Sequence, residues 1–135
     1  MRKSRIQIIG MGMLLFVGLS VALRAQEEKS PSMEVRSKAV NLVRMINTAE
    51  VTYKMSPNYG HGHYATWTEL YDSGLMKTGE VSPGPEVIPG FRLDLIVSPD
   101  GESFSLALHD TKDGDGLFSV FSDQSGIIYL GAPLQ

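Results

Sequence analysis

The chain of 135 residues contains no cysteine, which excludes several kinds of structure and chemistry at once. It cannot form disulfides, bind a metal through thiolates, use a cysteine nucleophile or hold an iron–sulfur cluster. Aromatic residues are few, at 8% with a single tryptophan. The sequence also has no Gly-x-Ser-x-Gly elbow, phosphate-binding loop or zinc-protease helix motif, so it lacks the common signatures of hydrolases and nucleotide-binding enzymes.

Basic residues are scarce beyond the first 25 positions. Of the 12 basic residues, four lie within that segment, whereas all 15 acidic residues follow it. The remaining chain therefore carries 8 basic and 15 acidic side chains, a net charge of −7. Such a chain repels nucleic acid and anionic lipid, which argues against a nucleic-acid-binding role. Its apolar fraction of 42% is typical of a globular protein, and roughly 110 residues suffice for one domain.

The first 25 residues have the pattern of an export signal. A basic start, Met1–Arg5, precedes the apolar run Ile6–Leu23, and a small residue at Ala25, or at Ala22 behind Ser20, suits signal peptidase. We expect cleavage after Ala25 and a periplasmic or secreted domain. The alternative is an uncleaved inner-membrane anchor with the domain outside, because about 18 apolar residues are just enough to span a bilayer.

A polar tether and a long helix follow. Residues 26–33 are polar and contain Pro31, so they predict a short tether before one globular domain, residues 34–135. Apolar residues then recur at spacings of four and three, which predicts an amphipathic helix over Glu34–Met55; the stripe comprises Val35, Ala39, Leu42, Ile46, Ala49 and Tyr53. We expect four flanking residues to be buried as well, namely Val40, Val43, Met45 and Val51. The opposite, polar side comprises Arg36, Lys38, Asn41, Arg44 and Glu50.

The rest of the chain predicts one short helix and an antiparallel sheet. Thr66 and Glu69 have the spacing of a capping box, so a short helix should begin there and end at Gly74. Residues 77–90 contain three prolines and three glycines, which predicts an irregular connector. From Phe91 onward, apolar and polar residues alternate in short runs separated by turns. We therefore predict an α+β fold in which the long helix packs on an antiparallel sheet of about four strands.

Several separated motifs of this chain resemble bacterial type IV pilin-like proteins. The helix contains Met45–Tyr53 (MINTAEVTY) preceded by Arg44, which is similar to the family's R-x-I-N-T-A-E-x-T-Y run. Further matches follow in the family's order: Tyr59-Gly60, Trp67, Leu70, Gly74-Leu75, Gly90-Phe91 and Asp123–Ile128, with Tyr129 where the family has arginine. The resemblance covers residues 40–129 and implies the head fold of a pilin or of a type II secretion pseudopilin.

The N-terminal segment departs from that family. A pilin leader is cut after a glycine that precedes an aromatic residue or methionine, and a glutamate follows within the apolar helix. Here Gly10 precedes Met11, but Met11–Val21 contains no charge. Because that carboxylate neutralises a neighbouring subunit's N-terminus during assembly, the resemblance implies a pilin-like head attached to an ordinary export signal. We therefore expect a non-enzymatic, exported domain that acts through protein–protein contacts, with pilus or secretion components as candidate partners.

Two histidines form a candidate transition-metal site. His61 and His63 lie two apart in a loop rich in glycine and tyrosine, where both rings can face one Zn²⁺ or Cu²⁺ ion. A useful site needs a third or fourth ligand; the candidates, His109 and Asp110, lie far along the chain. The alternative is a surface turn that holds no ion.

A late loop is a candidate Ca²⁺ site. The pseudopilins that this chain resembles bind Ca²⁺ in such a loop, which implies a site formed by Asp110, Asp113, Asp115 and Asp123. The loop is not an EF-hand, because Thr111 and Ser122 occupy that motif's first and last ligand positions. Lys112 favours the alternative, a solvated turn without an ion. A Ca²⁺- or transition-metal-dependent binding module is therefore the second functional hypothesis; the first needs no cofactor.

A small secreted hydrolase is the third hypothesis. It would use Ser103 or Ser105 with His109 and Asp110. Neighbouring residues of a strand point to opposite faces, however, so His109 and Asp110 cannot both turn toward Ser105. This pattern argues against an enzyme.

The aromatic residues leave two interpretations open. They either form an exposed recognition patch or belong to the core; those concerned are Tyr64, Trp67, Tyr71 and Phe91.

Overall fold

The computed structural model describes residues 33–77, 79–111 and 118–131. All of them belong to the second of the two units into which the chain divides, residues 31–135. The predicted export signal, its cleavage site at Ala25 and residues 26–32 of the tether lie outside the described residues. Within the described part, no helix combines the length and the apolarity that crossing a membrane requires.

The predicted long helix is α1, Met33–Met55, with 23 residues. One face of it is buried: Ala39, Leu42, Val43, Ile46, Ala49 and Glu50. The burial of Glu50 contradicts its predicted place on the polar side. Glu50 lies four residues after Ile46 and seven after Val43, so it stands on the buried stripe. Met45 and Val51, predicted to be buried, are 40% and 46% exposed. The reason is that the sheet covers only part of the apolar face of α1.

The capping-box prediction is confirmed in α2, Trp67–Asp72. The Thr66 hydroxyl accepts from the Glu69 N–H, and the Glu69 carboxylate accepts in return from the Thr66 N–H at 2.8 Å. Gly74 follows the helix with φ of +85°, the left-handed conformation that favours glycine after a helix end.

The sheet contains five antiparallel strands that neighbour one another in chain order. They are β1 Glu86–Ile88, β2 Phe91–Val97, β3 Phe104–Asp110, β4 Ser119–Asp123 and β5 Tyr129–Gly131. This confirms the α+β class with an antiparallel sheet, but the expected number of about four strands was one too few. The additional strand, β1, lies in the segment predicted to be an irregular connector. Its three residues stand between Pro85 and Pro89 and are too few for an alternating pattern to appear.

One face of the sheet packs on α1, as predicted. Leu93 of β2, Leu108 of β3 and Val120 of β4 belong to the same core cluster as the buried residues of the helix. Side chains of the opposite face alternate with them along each strand, and Arg92 and Ile96 on that face are exposed. Phe91 belongs to the core, whereas three aromatic residues are only half-buried: Tyr64, Trp67 and Tyr71.

Candidate functional site

The loop of residues 56–65 closes the C-terminal end of α1. The Gly60 N–H donates to the Tyr53 carbonyl at 3.0 Å, and the Gly62 N–H donates to the Lys54 carbonyl at 3.1 Å. Carbonyls in the last turn of a helix have no partner within the helix, so these two bonds satisfy groups that would otherwise need water. The loop is therefore held to the helix by its backbone.

A side-chain cluster joins the same loop to the turn between β2 and β3. The Tyr64 N–H donates to the Gly101 carbonyl at 2.9 Å. Lys54 Nζ lies 3.3 Å from Glu102 Oε2 and 4.3 Å from the centre of the Tyr64 ring. Because the Glu102 side chain is exposed, this ion pair contributes less than about 1 kcal/mol to stability. Its effect is to hold the helix end, the loop and the turn together.

Glu50 is the buried ionisable group of α1. It is 0% exposed, and its Oε2 accepts a hydrogen bond from the Ala65 N–H at 2.9 Å. Among the described residues, its Oε1 has no hydrogen-bond partner. Burial raises the pKa of Glu50 from its ordinary value of 4.5 to about 7; the Ala65 N–H opposes this shift, and the Glu69 carboxylate adds to it. The carboxyl therefore changes charge near neutral pH.

The two candidate zinc or copper ligands lie on the exposed surface of the loop. His61 has a φ of +48°. The His63 ring lies against Gly101, and its Nδ1 is 3.9 Å from Glu102 Oε1. In the part of the chain that the structure describes, no three His, Asp or Glu side chains are arranged to hold a metal ion. A zinc or copper site formed by His61 and His63 stays a prediction, and the described residues supply no third ligand for it.

Two of the four candidate Ca²⁺ ligands, Asp110 and Asp123, lie among the described residues, and the structure places them far apart. Asp110 is at the end of β3, and Asp123, at the end of β4, pairs with Ser105 near the start of β3. Five residues of strand separate these positions, about 16 Å at 3.3 Å per residue. Asp113 and Asp115 lie outside the described residues. A site that includes both Asp110 and Asp123 is therefore not supported, and Ca²⁺ binding by Asp110, Asp113 and Asp115 stays a prediction.

A serine, a histidine and an aspartate do meet on the sheet face that is turned away from α1. The Ser119 Oγ is 2.8 Å from His109 Nδ1, and Asp94 Oδ2 is 3.3 Å from His109 Nε2. Hydrolases use such a set, with the serine as nucleophile and the histidine as its base. Here Ser119 is 0% exposed, so no substrate can reach its Oγ, and Arg92 shares the Asp94 carboxylate at 3.2 Å.

This set differs from the one that sequence reasoning considered. Ser103 precedes β3, and Ser105 lies four residues before His109 along that strand. Asp110 is the immediate neighbour of His109 in β3, and strand alternation directs it to the other face. The contact of His109 with Ser119 follows from the pairing register of β3 and β4, which the sequence does not specify.

Three large apolar residues near the end of the described chain are exposed, whereas Ile128 between them packs against the core. Ile127, Tyr129 and Leu130 are 54%, 53% and 59% exposed, and they precede or form β5. Tyr129 and Leu130 are neighbours in β5 and point to opposite faces of the sheet, so these residues do not form one patch, and singly exposed apolar residues are ordinary.

Comparison with known proteins adds no relative to this description. No family model matches the chain, and no curated protein or solved structure matches it either. The resemblance to type IV pilin-like proteins therefore rests on the motifs of the chain itself.

Sequence reasoning missed three buried polar residues, Glu50, Ser119 and Ser122. A signal for Glu50 was present, because its spacing from Ile46 and Val43 puts it on the buried stripe. No comparable signal exists for Ser119 or Ser122, whose burial depends on the packing of the folded sheet.

Proposed function

We propose that this chain is an exported, non-enzymatic pilin-like domain that acts through contacts with other proteins, with pilus or secretion components as candidate partners. One observation carries the proposal. A 23-residue helix precedes an antiparallel sheet in chain order and packs its buried face on that sheet. This is the arrangement that the resemblance of residues 40–129 to pilin heads implies.

The export part of the proposal rests on the sequence. The basic start, apolar run and small residue at position 25 are those of a signal peptide. If the segment stays uncleaved, it anchors the domain to the inner membrane from outside. The net acidic domain makes nucleic acid and anionic lipid surfaces poor partners, which favours protein partners.

The non-enzymatic part is supported by the geometry around His109. The Ser119 hydroxyl, which touches the histidine, is fully buried. A nucleophile must contact the atom it attacks, so this hydroxyl cannot react in the folded protein. Neither Ser103 nor Ser105 forms a hydrogen bond to His109 in its place.

We expect the purified protein to show no turnover on panels of esters, phosphoesters and glycosides. The matched variants Ser119→Ala and His109→Ala should give the same background as the native chain. Turnover of any of these substrates that both variants abolish would contradict a non-enzymatic role and would establish the hydrolase instead.

A further inference from the structure

Two carboxyl groups accept hydrogen bonds from consecutive backbone amides at the point where α1 meets α2. Glu50 Oε2 accepts from the Ala65 N–H at 2.9 Å, and Glu69 Oε2 accepts from the Thr66 N–H at 2.8 Å. Glu50 belongs to α1, whereas Glu69 belongs to α2 and closes its capping box. Burial raises the pKa of Glu50, and the nearby Glu69 carboxylate adds to this shift. Two acidic groups from different helices therefore meet here.

Glu50 has no cation to balance a negative charge. In the described part of the chain, no salt bridge joins it to a basic side chain. Lys54 follows one turn later on α1, but its Nζ lies 3.3 Å from Glu102 Oε2 and 4.3 Å from the centre of the Tyr64 ring. A carboxylate that is taken out of water without a cation is destabilising. Glu50 is therefore stable in its buried position when it carries a proton.

The other titratable groups near Glu50 do not supply that cation. Tyr53, on the next turn of α1, has a pKa that is raised by burial, by Glu69 and by Glu50, so it stays uncharged at neutral pH. The loop of residues 56–65 contributes His63, which is exposed and whose Nδ1 lies 3.9 Å from Glu102 Oε1. The strand residues that share the core cluster with α1 are apolar. An ionised Glu50 would thus face a second carboxylate and apolar side chains.

Residues 65–69 stand between two fixed points. On one side, the Tyr64 N–H donates to the Gly101 carbonyl at 2.9 Å; on the other, Leu70 is fully buried in the core. Apart from the bond to Glu50, the described hydrogen bonds of residues 65–69 are made within α2 and its caps. Breaking that one bond therefore leaves no described hydrogen bond between this segment and α1, and the capping box stays intact.

Movement of this segment away from α1 would give water to two buried polar atoms. Among the described residues, Glu50 Oε1 and Trp67 Nε1 have no hydrogen-bond partner. Buried polar atoms without a partner destabilise the arrangement that buries them. The apolar surface that would be exposed is small, because Ala65 is the one fully buried residue of the segment and Trp67 is already half-buried.

We propose that the contact between Glu50 and residues 65–69 is a pH-sensitive switch. The switch is closed while Glu50 carries a proton; when the proton is lost, residues 65–69 move away from α1 and water solvates the carboxylate. Tyr64 and Leu70 stay in place as the two hinges, and the sheet stays folded. The inference goes beyond the proposed function, because it holds whether or not the domain is exported and whatever protein it contacts.

Hydrogen exchange of the Ala65 amide, followed by NMR on the purified protein, measures this opening. The pKa of Glu50 is about 7 in the closed state and returns to 4.5 when the carboxyl is exposed, so opening releases a proton. After correction for the intrinsic exchange rate, the protection of Ala65 should fall about tenfold per pH unit between about pH 5 and pH 7 and stay level above. The Leu108 amide, in the buried strand β3, should be at least about tenfold better protected at every pH, because it exchanges only when the sheet unfolds.

Two variants and one control identify the titrating group. Glu50→Gln keeps an acceptor for the Ala65 N–H and cannot ionise, so the protection of Ala65 should not depend on pH. Glu69→Gln keeps an acceptor for the capping box and removes the charge that adds to the Glu50 pKa shift, so the fall in protection should end at a lower pH. His63→Gln is the control, because histidine also changes charge in this pH range; its profile should match that of the native chain.

Several results would overturn the inference. A pH-independent protection of Ala65 in the native chain is one, and an unchanged pH dependence in Glu50→Gln or in Glu69→Gln is another. Loss of the pH dependence in His63→Gln would assign the titration to that histidine. Equal protection of Ala65 and Leu108 would mean that Ala65 is exposed only when the whole domain unfolds. Each of these results leaves the proposed function standing, whereas turnover on the substrate panels defeats the proposed function whatever the exchange rates are.

Discussion

Replacing Gly60 by alanine is expected to lower the free energy of unfolding by about 3 kcal/mol. A Cβ at this position would lie 2.5 Å from the His63 carbonyl oxygen, 2.6 Å from the Tyr53 carbonyl oxygen and 2.9 Å from Lys54 Cα. All three are backbone atoms. They cannot move aside by a rotation of a side chain, so either the loop or the end of α1 must shift.

The cost is large because the same backbone carries the closing hydrogen bonds of the loop. The Gly60 N–H donates to the Tyr53 carbonyl, and the His63 N–H donates to the Gly60 carbonyl at 2.9 Å. A shift that relieves the clash lengthens both bonds. The same shift displaces Ala65, whose N–H donates a hydrogen bond to the buried Glu50 carboxyl.

Gly79→Ala is the matched control. A Cβ there would meet no atom within 4 Å, so its effect should stay within about 0.5 kcal/mol. Urea unfolding of the two variants and the native chain measures the difference. Equal stability of Gly60→Ala and Gly79→Ala would contradict the close packing of the loop on α1.

Replacing Glu50 by glutamine is expected to remove most of the pH dependence of stability between pH 4.5 and pH 8. Burial raises the pKa of Glu50 from 4.5 to about 7 in the folded protein. The folded state therefore binds this proton more tightly than the unfolded state does. The contribution of Glu50 to stability is therefore largest below pH 4.5, falls as the pH rises from 4.5 to 7 and levels off above 7.

The size of this effect follows from the shift. At 1.36 kcal/mol per pH unit, a shift from 4.5 to about 7 corresponds to a loss of about 3 kcal/mol above neutral pH. Glutamine keeps an oxygen that can accept from the Ala65 N–H and carries no charge. The variant should therefore be more stable than the native chain at pH 8 and of similar stability at pH 4.5.

Urea unfolding at several pH values, with Glu80→Gln as the control, tests this expectation. Glu80 is exposed, so its replacement should leave the pH profile of the native chain unchanged. Two results would contradict the raised pKa of Glu50. One is a Glu50→Gln variant whose stability depends on pH as that of the native chain does, and the other is a Glu50 carboxyl that titrates near 4.5 by NMR.

Much of the fold was predictable because its local signals are strong. The helix α1 has a regular apolar stripe, α2 has a complete capping box, and β2 and β3 have large apolar residues at every second position on their core face. Each of these features depends on residues that are close in the sequence. Local patterns of this length are the ones from which secondary structure can be inferred.

The features that escaped prediction depend on contacts between distant parts of the chain. The strand β1 forms only because β2 lies beside it. The contact between Ser119 and His109 needs the register of β3 and β4. The pairing of Glu50 with the Ala65 N–H joins positions 15 residues apart, and the place of β5 at one end of the described sheet emerges only once the strand order is known.

The central claim, an exported domain freed from its apolar leader, is tested most directly by the N-terminal residue and the cellular fraction of the full chain produced in a Gram-negative host. We predict a chain that begins at Gln26 and is recovered in the soluble periplasmic fraction. A chain that begins at Met11 in the membrane fraction, or an unprocessed chain in the cytoplasm, would contradict that claim.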